Sequence, residues 1–141
     1  MKKFLFVLLT VSVLFFNPSY ASAVWSNWQT EAFGHTARIF TDDTHYYSGA
    51  STIDWKAEKK GSRTIYYTAG IYKKKTGGGL VDTNLVHRGY FKSSTPLKSF
   101  DLKKIRQRTG SGTYVIQIDC YSDSKKKDYI GTFESVQLIV K

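Results

Sequence analysis

The sequence predicts an all-β protein: a single antiparallel β-sandwich of about seven strands behind an N-terminal signal peptide. Three observations carry that reading. Beyond residue 23 apolar residues alternate with polar ones far more often than they recur at helical spacing. The alternating runs are rich in β-branched and aromatic residues, which suit a pleated, half-buried surface. Turn-forming clusters punctuate them: "EKKGS" (58–62), "KKKTGGG" (73–79), "SSTP" (93–96), "RTGSG" (108–112) and "SDSKKKD" (122–128).

The elements follow in order. Residues 1–23 open with Lys2 and Lys3, continue as the apolar run "FLFVLLTVSVLFF", and close with "NPSYASA". A positive start, a short apolar run and small residues at Ala21 and Ala23 form a secretory layout of bacterial type, with cleavage expected after Ala23. The run is shorter than the ~20 residues of a comfortable membrane span, and no later stretch supplies one. Residues 24–34, "VWSNWQTEAFG", form an arm or an extra strand, and 35–141 form the sandwich domain. Strands are expected near 35–42, 50–58, 63–74, 80–92, 97–103, 113–122 and 129–140. The single cysteine, Cys120, allows no internal disulfide, so an exported domain of this size relies on packing.

The stretch 97–122 sharpens the fold. Phe100, Leu102 and Ile105 precede a polar loop that leads into "SGTY" at 111–114. This pattern resembles the end of strand E, the E–F loop and the start of strand F in immunoglobulin-like domains. The resemblance implies that the Tyr114 hydroxyl ties back across the loop as a tyrosine corner. It also implies that strands C, F and G lie side by side. Parity then places Tyr114, Ile116, Ile118 and Cys120 inward, and Val115, Gln117, Asp119 and Tyr121 outward. Ile65, Tyr67, Ala69 and Ile71 share one face of their strand, Tyr66, Thr68, Gly70 and Tyr72 the other. Ile53, Trp55 and Ala57 form a further inward row. In the last strand Val136, Leu138 and Val140 face in, and Ser135, Gln137 and Ile139 face out.

Catalytic constellations are absent from the pattern. A strand ending in cysteine ahead of a basic segment resembles the sortase transpeptidases in outline. Their pattern places Thr before the cysteine, Arg after it and His upstream; here Asp119 precedes Cys120, lysines follow it, and His87 is left as the one base. An adjacent carboxylate raises a thiol pKa, whereas reactive thiols sit in electropositive surroundings. Cys120 therefore reads as a small apolar residue. Asp42, Asp43 and His45 fall within one short loop and read as an Asx-type turn rather than a metal site. Asp54 and Asp119, the strand-interior aspartates, are not set opposite each other as glycoside hydrolysis requires. "KTGGGL" lacks the Gly-Lys-Ser/Thr ending of a phosphate loop. No catalytic residue, metal or cofactor is expected.

Two surfaces remain as binding candidates. Tyr66, Tyr72, Gln117, Asp119, Tyr121 and Gln137 would share the outer face of the C–F–G sheet, where phenol rings offer flat apolar area and the amides and carboxylate offer directional hydrogen bonds. Lys59, Lys60, Lys73, Lys74, Lys75, Lys125, Lys126 and Lys127 sit on turns at the two ends of the sandwich. The formal charge, +10 for the whole chain, falls to +8 without Lys2 and Lys3, which favours anionic surroundings. Charge on turns and aromatics on strands do not form the interleaved surface that binds nucleic acid. The expected function is that of a secreted, non-catalytic binding or interaction protein acting at an anionic cell surface or cell wall, whose partner is an anionic cell-wall polymer, a polysaccharide or a surface protein. A small cationic secreted antagonistic factor is the alternative, and an exported enzyme the third class.

Overall fold

The computed structural model describes residues 23–31 and 33–141. The expected signal peptide, 1–23, lies outside them apart from Ala23. The described chain is all-β, with two sheets closing on one core.

Strict alternation builds the first sheet. Strands β3 (Thr36–Thr41), β5 (Thr52–Lys59) and β8 (Lys98–Asp101) pair antiparallel in that order. Ala37, Ile39 and Thr41, then Ile53, Trp55 and Ala57, then Phe100, are buried, while the residues between them are not. That is a sheet with one wet face. β1 (Val24–Trp25) and β2 (Gln29–Thr30) both pair with the other edge of β3 and cover it. Cation–π contacts hold this arm: the Arg38 guanidinium is 4.3 Å from the Trp25 ring centre and 4.5 Å from that of Trp28. Lys60 stands 4.9 Å from Trp28 and Lys56 5.4 Å from Trp25.

The second sheet has β6 (Ile65–Lys74) and β9 (Gly112–Tyr121) at its centre, with β7 (Leu80–Phe91) outside β6. β10 (Tyr129–Glu134) and β11 (Leu138–Val140) share the other side of β9, and β4 (His45–Tyr46) runs parallel to β11. The expected continuous strand over 129–140 is thus interrupted. Glu134 pairs with Gln117 and Leu138 with Tyr114, so three residues face two: a β-bulge. Ser135 fills the break. Its N–H donates to the Ile116 carbonyl and its hydroxyl accepts from the Ile116 N–H, each at 2.9 Å. Ser135 is therefore buried, not outward as simple parity expects.

A second correction concerns 97–103. The strand ends at Asp101, and a helix, α1 (Leu102–Thr109), takes the place of the expected polar loop. The Asp101 carboxylate caps it, accepting from the Lys104 N–H at 3.2 Å. Leu102 and Ile105, three apart, bury its inner face. Gly110 stops it with φ of 74°, where a side chain would be strained. Tyr114 then closes the corner: its buried hydroxyl donates to the Gly110 carbonyl and lies 2.7 Å from the Thr109 hydroxyl. The tyrosine corner of the immunoglobulin-like pattern is present, spanning a helix turn.

Side chains from both sheets meet around Trp55. Phe100 stacks on it at 5.9 Å, and Tyr67 and His87 meet it edge-on at 6.2 and 5.8 Å. The inward rows expected on β5, β6 and β9 are all buried. Because the corner bond fixes where β9 begins, Tyr114→Phe should cost about 1–2 kcal/mol by stranding the Gly110 carbonyl. Urea titration should show a lower midpoint at unchanged slope; an unchanged midpoint would contradict the role given to the hydroxyl.

Candidate binding face

The outer face of the second sheet collects side chains from four strands. Tyr129 pairs with Tyr121, Tyr121 with Tyr66, and Tyr66 with Tyr90, so four tyrosines stand in one row across β10, β9, β6 and β7. Ring centres are 5.9 Å apart in both outer pairs, Tyr121–Tyr129 and Tyr66–Tyr90. The central pair is half-buried, while Tyr129 and Tyr90 are exposed. At about 4.8 Å per strand the row spans about 14 Å.

A polar row runs beside it. Thr132 pairs with Asp119, Asp119 with Thr68, and Thr68 with Arg88. The Thr132 hydroxyl donates to the Asp119 carboxylate and lies 2.6 Å from the Tyr129 hydroxyl. One row further, Gln117 donates to the Glu134 carboxylate and faces Gly70 on its other side. Tyr72 folds over Gly70: a Cβ there would lie 2.7 Å from the phenol oxygen, so only glycine leaves the ring this place. Burial, then Asp82, Asp119 and Tyr121, hold the Tyr72 phenol above its ordinary pKa.

Tyr66, Tyr72, Gln117, Asp119 and Tyr121 are thus brought onto one surface. Gln137 is not in those rows. It is exposed in the break between β10 and β11, and Glu134 occupies the position beside Gln117. Sequence reasoning also missed Tyr90, Tyr129, Thr132 and Arg88. Arg88 and Tyr90 follow from alternation along β7 around "HRGY". Tyr129 and Thr132 share the face only because the register shifts between Tyr129 and Gly131, which alternation does not show.

The lysine turns divide in the structure. Lys125 and Lys127 are exposed at the β9–β10 turn, but Lys126, left-handed at φ 55°, reaches back over the sheet and donates to the Thr68 hydroxyl at 2.8 Å. Lys59 donates to the Gly61 carbonyl at 3.0 Å, and Lys60 lies over Trp28. At the other end Lys73, Lys74 and Lys75 line a cleft of ≈ 520 Å³ with Arg108, and Lys73 donates to the Thr109 carbonyl at 2.7 Å.

The reactive-residue candidates are occupied structurally. Asp42 accepts from the Tyr46 hydroxyl at 2.7 Å and the Asp54 N–H at 2.9 Å; Asp43 accepts from the Thr44 and His45 N–H groups. His87 packs against Trp55 and Phe100, two strands and ~10 Å away from the strand of Cys120. Burial holds its pKa below the ordinary value, and Lys98 adds to that. Cys120 is fully buried. Burial pushes its thiol from 9.0 to about 12; Asp119 adds to the rise and Lys59 opposes it.

These features define an immunoglobulin-like β-sandwich carrying an open tyrosine face. The chain belongs to the family described as the YqgA MG2 macroglobulin domain, whose model matches residues 21–141. It is also 29% identical over 127 residues to the cell wall-binding protein YqgA of Bacillus subtilis (strain 168), covering 87% of this chain and 86% of that protein.

Two outcomes follow from the buried thiol and phenols. An aromatic disulfide reagent at neutral pH should label Cys120 slowly in the native protein and rapidly in urea; fast native labelling would contradict its burial. Tyr46, Tyr67 and Tyr114 are also held above the ordinary 10.0, chiefly by burial. The folded state keeps protons that the unfolded chain releases, so their contribution to stability is complete below about pH 9 and falls as pH rises further. Denaturation midpoints measured from pH 7 to about 11 should hold and then decline. A midpoint that climbs across the alkaline range would contradict this.

Proposed function

We propose that this chain is a secreted, non-catalytic protein that binds the bacterial cell wall, and that the outer face of β10, β9, β6 and β7 is its binding surface. The observation that carries the reading is the row of four tyrosines in register across four strands. Phenol rings offer flat apolar area to the C–H faces of sugars, and the neighbouring Asp119, Gln117, Glu134 and threonine side chains offer hydrogen bonds to hydroxyl groups. A row about 14 Å long suits an extended glycan strand rather than a single small molecule. The name of the Bacillus subtilis relative, a cell wall-binding protein, agrees with this reading. Lys125, Lys127 and the lysines of the far turn supply long-range attraction to an anionic wall, which salt screens.

Sedimentation with purified walls separates the two contributions. At about 0.5 M salt, where surface charge is screened beyond a few ångströms, wild-type binding should persist. The double variant Tyr66→Ala/Tyr121→Ala should bind about tenfold less at that salt while unfolding at a similar urea midpoint. If wild-type binding vanishes at this salt, or the double variant binds as well as wild type, the tyrosine face is not the binding surface.

A further inference from the structure

We infer that the tyrosine face recognises an acidic glycan strand, holding an anionic oxygen group of the ligand between Lys126 and Arg88. This rests on the binding face proposed above and specifies its ligand.

The argument begins with what it costs to place Lys126 there. Left-handed backbone is rare for a residue with a side chain, and Lys126 adopts it at φ 55°. That conformation turns a lysine from an exposed hairpin back onto the sheet, where its ammonium bonds to Thr68 at 2.8 Å and becomes half-buried. Thr68 is the cross-strand partner of Arg88, so the two cations are brought to adjacent positions on one face. Burial lowers the Lys126 pKa, and the positive charge of Arg88 lowers it further, as expected of like charges held close.

Among the described residues neither cation has a counter-ion within ion-pair distance; the ion pair present is Arg38 with Glu58, on the other sheet. The nearest acid by register, Asp119, is one strand over from Thr68 and engages Thr132 on its far side. The polar row is therefore polarised: carboxylate toward β10, cations toward β7. Two neighbouring cations without a carboxylate leave charge-assisted donors open to an anionic oxygen group. The tyrosine row lies directly alongside, in the adjacent register positions Tyr121, Tyr66 and Tyr90. A sugar ring on Tyr66 would carry its acidic substituent toward Lys126 and Arg88, and its hydroxyl groups toward Asp119.

An anionic oxygen group on a wall glycan can be a carboxylate or a phosphate, and modified walls distinguish them. The test uses the mature chain and purified walls in three forms: native, stripped of phosphodiester polymers with hydrofluoric acid, and with carboxylates amidated. At about 0.5 M salt, Lys126→Gln/Arg88→Gln should bind native walls about tenfold more weakly than wild type, and Lys126→Arg should restore binding when Arg88 is intact. Lys103→Gln/Lys104→Gln, on the exposed side of α1, removes the same net charge and should leave binding unchanged. Wild type should bind one modified wall about as weakly as the double variant binds native wall, and that wall identifies carboxylate or phosphate. Equal wild-type binding to all three walls, full binding by Lys126→Gln/Arg88→Gln, or an equal loss in the Lys103→Gln/Lys104→Gln control would overturn the inference. If Tyr66→Ala/Tyr121→Ala still abolishes binding in those cases, the tyrosine face stands and only its selectivity for acid falls.

Discussion

Tyr66 of β6 stands opposite Tyr121 of β9, and the antiparallel ladder continues without a break to Lys73 opposite Tyr114. Both faces of the second sheet depend on that register. On the inner side it stacks Tyr67 beside Cys120, Ala69 beside Ile118 and Ile71 beside Ile116, all buried. On the outer side the same pairs place Tyr66 beside Tyr121 and Thr68 beside Asp119. A slip of one residue would turn every phenol of the outer row into the core and every core residue out to water. The Tyr114 corner anchors one end of the ladder, since the bond to Gly110 ties the first turns of β9 to the end of α1. The corner thus acts at a distance on the outer face, through register.

Much of this was legible in the sequence because parity is a strong signal wherever one face is wet. Ile53, Trp55 and Ala57, and the inner rows of β6 and β9, are buried as alternation requires. The all-β class rests on the same regularity, while the tyrosine corner comes from the resemblance of 97–122 to the immunoglobulin-like E–F region. What alternation could not show is where it breaks. The bulge at 135–137 buries Ser135 and takes Gln137 out of the rows, because three residues there face two of β9, while Leu138 and Val140 beyond it are buried as alternation expects. Helix α1 was concealed by brevity: Asp101, Leu102, Ile105 and Gly110 are its cap, face and stop, but two apolar residues are too few to distinguish a helix from a loop. Lys126 was beyond sequence reasoning altogether, since nothing in "SKKKD" distinguishes the middle lysine that folds back from its exposed neighbours.

Charge is also used differently at different places, which the composition conceals. Lys73 neutralises the carbonyl end of α1 through Thr109, and Arg106 donates to the Tyr47, Ala50 and Lys141 carbonyls, so both act as internal fasteners. Lys60 and Arg38 serve the arm. The surplus that remains free to meet an anionic surface is concentrated on the turns, where exposure makes it strong at long range and weak in salt. Affinity that survives salt must come from desolvated, directional contacts, which we propose the sheet face supplies.

The two outer faces make the contrast plain. Both are aromatic and both carry cations, yet only one is open. On the first sheet Trp25 and Trp28 enclose Arg38, Lys56 and Lys60 add further cation–π contacts, and Glu58 neutralises the arginine. Aromatic surface and charge are there satisfied by each other, and their combined effect is to hold residues 24–31 against the edge of β3. On the second sheet the tyrosines pair along a row with outer members exposed, and Lys126 is held over Thr68, whose cross-strand partner is the exposed Arg88. The left-handed backbone of Lys126 and its bond to Thr68 hold its ammonium over the sheet, next to the position of Arg88. Folding alone gives no return for that arrangement. The anionic ligand we propose would give one, at the face whose cations lack an ion-pair partner among the described residues.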